Sequence, residues 1–234
     1  MGDPNRSKAC PQVKICGLTD PAAAAAVAAL GADAVGLVFH PASPRHVNLD
    51  QAAAIAAALP RSVPAVGVFV NPSWDALAGT ITRCRLGAVQ LHGTEPQALL
   101  DRLADTFDVR VFKALFAAKS PFLTDVAGYS ASAYLVECGR GMQPGGNALA
   151  WDWSVAANFA LTHPTILAGG LGPDNVSRAI ADALPDAVDV SSSVEAAPGR
   201  KDMEKVARFI AAVHKTGPLY AAGGRVLRPV FGVC

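Results

Sequence analysis

Residues 13–39 read VKICGLTDPAAAAAVAALGADAVGLVF, and this stretch decides the fold. A short apolar run, Val13–Cys16, is followed by Asp20 and Pro21, which favour the start of a helix. An alanine-rich run comes next, and then a second short apolar run, Ala34–Phe39. Each apolar run is too short and too apolar for a strand with one face in solvent, so both are typical of strands buried on two faces. The stretch therefore predicts one strand–helix–strand unit with parallel strands.

The same alternation continues along nearly the whole chain. Eight short strands are predicted, at Val13–Cys16, Ala34–Phe39, Pro64–Phe69, Ala88–Leu91, Arg110–Ala114, Ala133–Val136, Thr165–Ala168 and Ala187–Val190. Helices are predicted at Pro21–Leu30, Asp50–Leu59, Ser73–Arg83, Pro96–Thr106, Asn175–Ala183 and Lys201–Lys215, with weaker helical signals at Phe122–Val126 and Trp153–Phe159. Eight such units predict a single (β/α)8 TIM barrel of the α/β class.

An open, doubly wound parallel sheet is the competing architecture. It usually carries a G-x-G-x-x-G dinucleotide fingerprint after its first strand. Here that position holds Cys16-Gly17-Leu18-Thr19-Asp20, which does not match. The glycine-rich stretch Gly169-Gly170-Leu171-Gly172 follows the seventh strand instead, where TIM barrels commonly bind phosphate. The barrel is therefore the favoured fold.

The composition is that of a globular protein with balanced charge. Hydrophobic residues make up 51% of the chain, and 20 basic residues stand against 19 acidic ones. This balance argues against a broad nucleic-acid-binding surface. No run approaches eighteen apolar residues, and the polar N-terminus holds no apolar signal core, so we expect a cytoplasmic protein without a membrane partner.

The cysteines and histidines suggest neither a disulfide framework nor a metal site. The five cysteines are odd in number and scattered, and no two have the C-x-x-C spacing. Four histidines show no ligand spacing: His40, His46, His163 and His214. No metal is therefore expected.

Two segments lie outside the repeated units. We expect residues 1–12 to form a polar tail, residues 13–215 to form the barrel, and residues 216–234 to form a C-terminal extension. The extension ends in several apolar residues, Val226, Leu227, Val230, Phe231 and Val233. It covers part of the barrel or packs on another subunit, and the sequence leaves both possibilities open.

Residues able to do chemistry stand at the predicted strand ends, where TIM barrels place their active sites. They are Cys16, Arg45, His92, Glu137, Gly169, Gly170, Ser191, Ser192 and Ser193. A thiol, a carboxylate, an arginine and two loops of small residues predict an acid–base site with a phosphate cradle. Each has a purely structural alternative: a buried hydrophobe for Cys16, a solvated arginine, a core histidine for His92, and tight turns. Lys113 is expected inside the barrel, paired with Glu137 or Asp189.

Six ordered segments carry a resemblance to a known family. They are VKICGLT at 13–19, GLVF at 36–39 with SPR at 43–45, VGVFVN at 66–71, VQLHG at 89–93, LAGGL at 167–171 and DVSS at 189–192. The last segment is followed by Val194-Glu195, Pro198-Gly199 and Lys201-Asp202. Together they resemble the phosphoribosylanthranilate isomerase family of tryptophan biosynthesis.

The resemblance implies an Amadori rearrangement. In the family reaction an acid opens the ribose ring of N-(5′-phosphoribosyl)anthranilate to a Schiff base, and a base then removes the C2′ proton. The product is 1-(2-carboxyphenylamino)-1-deoxyribulose 5-phosphate. Since only protons move, no cofactor is implied. The implied partner is a small sugar phosphate, and the protein is expected to be a monomer or a homodimer.

The resemblance also assigns roles to residues of this chain. Cys16 matches the general base, Arg45 matches the arginine that holds the anthranilate carboxylate, and Glu137 stands where the family usually has the aspartate that acts as general acid. The remaining substrate contacts are Gln90, His92 and Asp189, and the phosphate contacts are Gly169, Gly170, Ser191, Ser192 and Ser193. A thiol can act as a base if its pKa is low enough to form thiolate near neutrality.

The sequence departs from the family pattern at three places, all on one side of the expected pocket. Glu137 replaces the aspartate, Asn147 and Ala148 alter the loop that begins at Gly145-Gly146, and Ser193 stands where the family commonly has glycine. These departures keep two alternatives open: an Amadori isomerase for another phosphoribosylated arylamine, and a sugar-phosphate-binding protein without turnover.

Overall fold

Eight parallel strands form a closed barrel in the computed structural model, which describes residues 10–139 and 150–232. The strands are β1 (Gln12–Cys16), β2 (Ala34–Val38), β3 (Ala65–Phe69), β4 (Ala88–Leu91), β5 (Arg110–Phe116), β6 (Ala133–Glu137), β7 (Thr165–Leu167) and β8 (Ala187–Val190). Each strand pairs with its neighbours in chain order, and β8 pairs with β1 to close the barrel. The predicted (β/α)8 fold is confirmed.

Helices follow most of the strands and surround the barrel. They are α1 (Pro21–Ala29), α2 (Leu49–Ala58), α3 (Trp74–Cys84), α4 (Gln97–Thr106), α5 (Ala157–Thr162), α6 (Val176–Ala183), α7 (Met203–His214) and α8 (Gly217–Ala222). Shorter 3-10 segments lie at Leu123–Gly128, Trp153–Ala156 and Ser192–Val194.

Side-chain caps explain where several helices begin. Asp20 accepts a hydrogen bond from the backbone N–H of Ala23 before α1, and Asn48 and Gln51 form a reciprocal capping box at the start of α2. Such caps satisfy N–H groups that have no partner within the helix. The start of α1 is the one that Asp20 and Pro21 predict.

The core has two parts, as a barrel requires. One large cluster joins the outward faces of the strands to the helices. A second cluster draws on the strands and the C-terminal segment without helix residues, so it fills the inside of the barrel; it includes Ala34, Val66, Phe112, Ile166, Ala187 and Phe231. The C-terminal ends of the strands instead carry buried polar side chains, which places the candidate site at that end.

The C-terminal extension closes the opposite end of the barrel. The backbone N–H groups of Val230 and Phe231 donate to Gln12 Oε1 at 2.7 and 3.0 Å. Arg110 Nη1 donates to the carbonyl oxygens of Pro229 and Val230 at 2.8 and 2.9 Å. The sequence leaves two possibilities open for this extension, and the structure shows that it packs on the barrel of its own chain.

Differences from the predicted elements are small. β5 extends to Phe116, two residues further than predicted, and α7 begins at Met203 rather than Lys201 because Asp202 caps it. Helix α8 and an antiparallel hairpin, β9 (Glu195–Ala197) with β10 (Arg200–Lys201), were not predicted. Among the residues that the structure describes, no helix has the length and apolar character needed to cross a membrane.

Candidate active site

Cys16 lies at the end of β1, beside a buried ion pair. Lys14 precedes it on the same strand, and its Nζ lies 2.9 Å from Asp189 Oδ1 on β8, the residue that pairs with Lys14 in the β1–β8 register. Gly36, which pairs with Cys16 on β2, gives the thiol its room, because a Cβ there would lie 2.6 Å from Sγ. The thiol therefore sits in a buried pocket with a cation next to it.

Two opposing effects act on the ionisation of Cys16: the burial of its thiol and the positive charges of two lysines. Burial raises the pKa of the thiol above its ordinary value, while Lys14 and Lys201 lower it and Asp189 adds to the rise. Burial also opposes the charge on Lys14, yet Asp189 and Cys16 hold the pKa of Lys14 above its ordinary value. The pKa of the thiol is thus raised, and Lys14 is the main group that limits the rise.

Glu137 lies at the end of β6 in contact with His92, the residue after β4. His92 Nε2 is 3.3 Å from Glu137 Oε1, and His92 Nδ1 is 3.0 Å from Gln90 Nε2. The ring of Phe116 packs edge-on against the imidazole at 5.4 Å. Burial raises the pKa of Glu137, but His92, with Lys119 and Lys14, outweighs it and holds the pKa below its ordinary value. The predicted site residues Gln90, His92 and Glu137 therefore come together as one hydrogen-bonded group.

Arg45 is held by a carboxylate for which the sequence suggested no role. Its Nε and Nη2 donate to the two carboxylate oxygens of Glu195 at 2.8 and 2.7 Å, and Lys201 Nζ lies 2.7 Å from Glu195 Oε1. Gly17, with φ +80°, leaves room for the Arg45 side chain, because a Cβ at this position would lie 2.5 Å from Arg45 Cδ. Burial raises the pKa of Glu195, but Arg45 and Lys201 hold it below its ordinary value. The solvated-arginine alternative is excluded, since Arg45 is 7% exposed.

The partner predicted for Lys113 is wrong. Its Nζ lies 2.8 Å from Glu95 Oε2 and donates to the carbonyl oxygen of Gly93, whereas Asp189 pairs with Lys14 and Glu137 contacts His92. Both Lys113 and Glu95 are buried. The side chain thus ties β5 to the loop after β4 rather than joining the proposed acid.

The proposed phosphate loops lie side by side after β7 and β8. Gly169 and Gly170 have φ of +86° and +68°, a conformation that glycine adopts without strain. Ser193 donates from Oγ to the carbonyl oxygen of Leu171, which joins the two loops, and Ser191 Oγ donates to the carbonyl oxygen of Cys16 at 3.0 Å. Ser193 has no positive φ, so its side chain is accommodated without the left-handed backbone that would demand glycine.

Two tryptophan side chains hydrogen-bond to the loop after β7. Trp151 Nε1 donates to the carbonyl oxygen of Ala168 at 3.1 Å, and Trp153 Nε1 donates to that of Gly169 at 3.3 Å. The altered loop at Gly145, Gly146, Asn147 and Ala148 lies outside the described residues. Within the described ranges, no three His, Cys, Asp or Glu side chains are grouped so that they could hold a metal ion.

One end of the barrel thus collects a thiol beside an ammonium group, a carboxylate beside an imidazole, an oriented guanidinium and two glycine- and serine-rich loops. These groups can remove a proton, donate one, and hold anions. Sequence reasoning assigned no role to the supporting residues Glu195, Lys201 and Glu95. Glu195 lies 150 residues from Arg45, so no local pattern links the two. The pairs Lys201–Glu195 and Lys113–Glu95 are 6 and 18 residues apart, and it is the fold that brings each lysine to its carboxylate.

Comparison with known proteins agrees with this arrangement. Residues 13–212 match the family model described as N-(5′-phosphoribosyl)anthranilate (PRA) isomerase. A relative from Desulfatibacillum aliphaticivorans, named N-(5′-phosphoribosyl)anthranilate isomerase, is 54% identical over 88% of this chain and 94% of its own. The crystal structure of phosphoribosyl anthranilate isomerase from Thermotoga maritima superposes with a TM-score of 0.80 at 35% identity, over 88% of this chain and 99% of that one.

A further solved structure brings a ligand into the comparison. It is a phosphoribosyl anthranilate isomerase in complex with reduced 1-(o-carboxyphenylamino)-1-deoxyribulose 5-phosphate, and it is 34% identical with a TM-score of 0.77, over 88% of this chain and 99% of that one. The family-model match, over residues 13–212, reaches all eight strands of the barrel and the strand-end segments described above. The chain belongs to the N-(5′-phosphoribosyl)anthranilate isomerase family.

Proposed function

We propose that this protein converts N-(5′-phosphoribosyl)anthranilate into 1-(2-carboxyphenylamino)-1-deoxyribulose 5-phosphate, a step of tryptophan biosynthesis. The observation that carries the proposal is the family match over residues 13–212, which spans the whole barrel. The 54% identical relative bears the name of this isomerase, and the ligand in the solved relative is the reduced form of this product. The two alternatives, another arylamine substrate and binding without turnover, have no such support.

The reaction needs a proton donor at the ribose ring oxygen, and Glu137 is the proposed donor. Protonation lets the bond from C1′ to the ring oxygen break, while the lone pair of the aryl nitrogen forms a C=N bond to C1′. The ring oxygen leaves as a hydroxyl group, and Glu137 becomes a carboxylate. General acid–base steps of this kind typically contribute about 10²–10⁴ in rate.

Cys16 is the proposed base for the second step. Its thiolate removes the C2′ proton, and the electron pair of that C–H bond forms a C1′–C2′ double bond as the iminium nitrogen regains its lone pair. The enol then becomes the ketone: its hydroxyl proton returns to Glu137, and the thiol proton moves to C1′. Glu137 and Cys16 end the cycle in their starting protonation states, so these steps need no cofactor.

Arg45 is the proposed anchor for the anthranilate carboxylate. Glu195 occupies the edge formed by Nε and Nη2. The end formed by Nη1 and Nη2 keeps N–H groups for a second carboxylate, since among the described residues Nη1 forms no hydrogen bond. Glu195 therefore orients the guanidinium and leaves N–H groups of Arg45 available for the substrate carboxylate.

The loops that contain Gly169-Gly170 and Ser191-Ser192-Ser193 are the proposed phosphate cradle. Small residues let backbone N–H groups approach an anion closely, and adjacent loops can surround it from two sides. The bond from Ser193 to the Leu171 carbonyl oxygen supports this assignment, because it holds the two loops together. Gln90, His92 and Asp189 complete the proposed substrate pocket from β4 and β8.

The test is turnover of phosphoribosylanthranilate generated in situ, followed by the loss of its fluorescence. The purified protein should convert it, and Cys16→Ser should lower kcat at least about a hundredfold while it still binds the reduced product analogue. No turnover by the folded parent protein would reject the proposal. Tight binding of the analogue without turnover would point to a silent binder, and turnover of another phosphoribosyl arylamine alone would point to a changed substrate.

A further inference from the structure

Gln90, His92 and Glu137 form a continuous chain of contacts, and one atom in it lacks a partner. Gln90 is 1% exposed, and its Oε1 forms no hydrogen bond in the described part of the protein. Its Nε2 lies 3.0 Å from His92 Nδ1, and His92 Nε2 lies 3.3 Å from Glu137 Oε1. Buried polar atoms almost always find a partner, so an exception beside a proposed acid calls for a physical explanation.

The two orientations of the Gln90 amide have different consequences for Glu137. An amide group can turn by half a revolution within the same volume. With Nε2 towards the imidazole, His92 Nδ1 must accept, so the single ring proton sits on Nε2 and Glu137 Oε1 accepts from it. With Oε1 towards the imidazole, Nδ1 carries a proton, and a second proton lies between His92 Nε2 and Glu137 Oε1.

Counting hydrogen bonds does not choose between these orientations. Either orientation gives the amide one contact with His92 Nδ1, through Nε2 or through Oε1. The proposed chemistry does choose. The turned amide places a mobile proton on the contact between His92 and Glu137, either on a carboxylic acid that donates to a bare Nε2 or on an imidazolium beside a carboxylate.

We propose that Gln90 and His92 are positioning residues that keep Glu137 supplied with its proton, with Gln90 Oε1 accepting from His92 Nδ1–H. The inference rests on the proposed function, because it is the ring-opening step that needs an acid at Glu137. When Glu137 donates to the ring oxygen, His92 Nε2–H can stabilise the carboxylate that forms. When the enol hydroxyl group gives its proton back, the pair regains the mobile proton.

The charges around Glu137 show why such a device is needed. Burial raises the pKa of Glu137, whereas His92, Lys119 in the loop after β5 and Lys14 on β1 lower it and favour the carboxylate form. Asp189 on β8 interacts electrostatically with both His92 and Glu137. Because these groups favour the carboxylate form, we place the shared proton of the pair on the imidazole, where Gln90 Oε1 accepts from Nδ1–H. His92 packs against Phe116 and is 5% exposed, so the mobile proton is also shielded from water.

The first test reads the imidazole directly in the parent protein. The full chain labelled with ¹⁵N-histidine is studied by NMR without substrate, and the His92 signals are assigned by their loss in His92→Asn. The proposal expects a protonated Nδ1 at neutral pH. A bare Nδ1 with the proton on Nε2 would overturn it. Because this measurement does not depend on turnover, its outcome is separate from that of the isomerase assay.

The second test compares the pH dependence of kcat in two variants. Gln90→Met removes the acceptor, so the alkaline limb of kcat should move to lower pH by about one unit, which lowers kcat at mildly alkaline pH about tenfold. Gln90→Glu offers a carboxylate oxygen to Nδ1–H and should keep the limb at or above that of the parent. Gln97→Met on α4 is the matched control and should keep the parent profile.

Two outcomes of this second test would contradict the proposal. If Gln90→Met keeps the parent's alkaline limb, the amide has no influence on the acid. If Gln90→Met and Gln90→Glu move the limb equally, the amide acts as a donor or as packing, and the proposed orientation is wrong.

Discussion

Arg45 and Glu195 lie 150 residues apart along the chain and are joined by two parallel hydrogen bonds, of 2.8 and 2.7 Å. Their side chains are 8% and 5% exposed, and Lys201 contacts the same carboxylate. The guanidinium is therefore held in one orientation in the protein without substrate. Since one carboxylate contacts two cations here, Glu195 both stabilises this end of the barrel and orients the proposed anchor Arg45.

Glu195→Gln should weaken substrate binding more than it slows chemistry. The neutral amide loses the charge-assisted grip on Arg45, and we expect KM to rise about tenfold while kcat falls less. Steady-state kinetics of the isomerase reaction measures both. Glu195→Asp, which keeps the charge, should recover part of the loss in KM. A parent-like KM in Glu195→Gln would show that Arg45 needs no support from Glu195.

The same residue predicts a loss of stability in acid. Because the pKa of Glu195 is lowered in the folded protein, its stabilising contribution is fully present above its ordinary value of about 4.5 and is lost as the pH falls further. Glu195→Gln leaves two buried cations unpaired and should cost about 3–5 kcal/mol in the free energy of unfolding at pH 7. Denaturant unfolding at pH 7 and pH 3 should show this difference shrinking in acid. A difference that is equal at both pH values contradicts the assignment.

Lys14→Met should move the acidic limb of kcat/KM to higher pH. Burial raises the pKa of Cys16, and Lys14 is the largest influence that lowers it, so removal of the ammonium group raises it further. Less thiolate then forms at pH 7, and kcat/KM at that pH should fall at least about tenfold. The pH profile, with thiolate absorbance as an independent readout, measures the shift. An unchanged profile would mean that Cys16 is not the base or that Lys14 does not govern it.

The proposed acid is tested by a pair of substitutions at Glu137. Glu137→Asp keeps a carboxyl group in the form that the family usually has, and it should keep or raise turnover of phosphoribosylanthranilate. Glu137→Gln cannot donate an acidic proton and should lower kcat by about 10²–10⁴. Binding of the reduced product analogue controls for the integrity of the pocket. Persistent turnover in Glu137→Gln would exclude Glu137 as the acid.

The sequence predicts the barrel well because its strands are buried on both sides. A strand such as β4 is a short apolar run between polar turns, and its predicted bounds, Ala88–Leu91, are those of the structure. Helix starts are similarly local, as the bond from Asp20 to the N–H of Ala23 shows. The packing of the C-terminal extension depends on contacts far apart in the sequence, such as those of Val230 and Phe231 with Gln12, so no local pattern predicts it. The hairpin of β9 and β10 joins near neighbours, but its strands of 3 and 2 residues are too short to show a strand pattern.

Site residues are predictable from the sequence, but their partners are not. Cys16 and Glu137 follow from their positions at strand ends, and their roles stay predictions. Lys113 can reach several neighbouring strand ends, and the barrel register directs it to Glu95 instead of the predicted carboxylates. The raised pKa of Cys16 comes from burial in three dimensions, which the nearby Lys14 in the sequence does not reveal.

Phe231→Ala should destabilise the protein and leave catalysis unchanged. Phe231 is 5% exposed, packs edge-on against Phe112 at 5.8 Å inside the barrel, and lies at the end opposite to the site. Loss of a buried phenyl ring typically costs about 3–5 kcal/mol, which for a chain of this size lowers Tm by roughly 10 °C. Thermal unfolding measures the change, and kcat/KM at 25 °C should stay within about twofold of the parent. Val226→Ala, at a side chain that is 86% exposed, is the matched control and should leave Tm within about 2 °C. If Phe231→Ala keeps the parent Tm, the extension does not stabilise the barrel; if its activity falls at an unchanged Tm, the two ends of the barrel are coupled in a way that this packing does not explain.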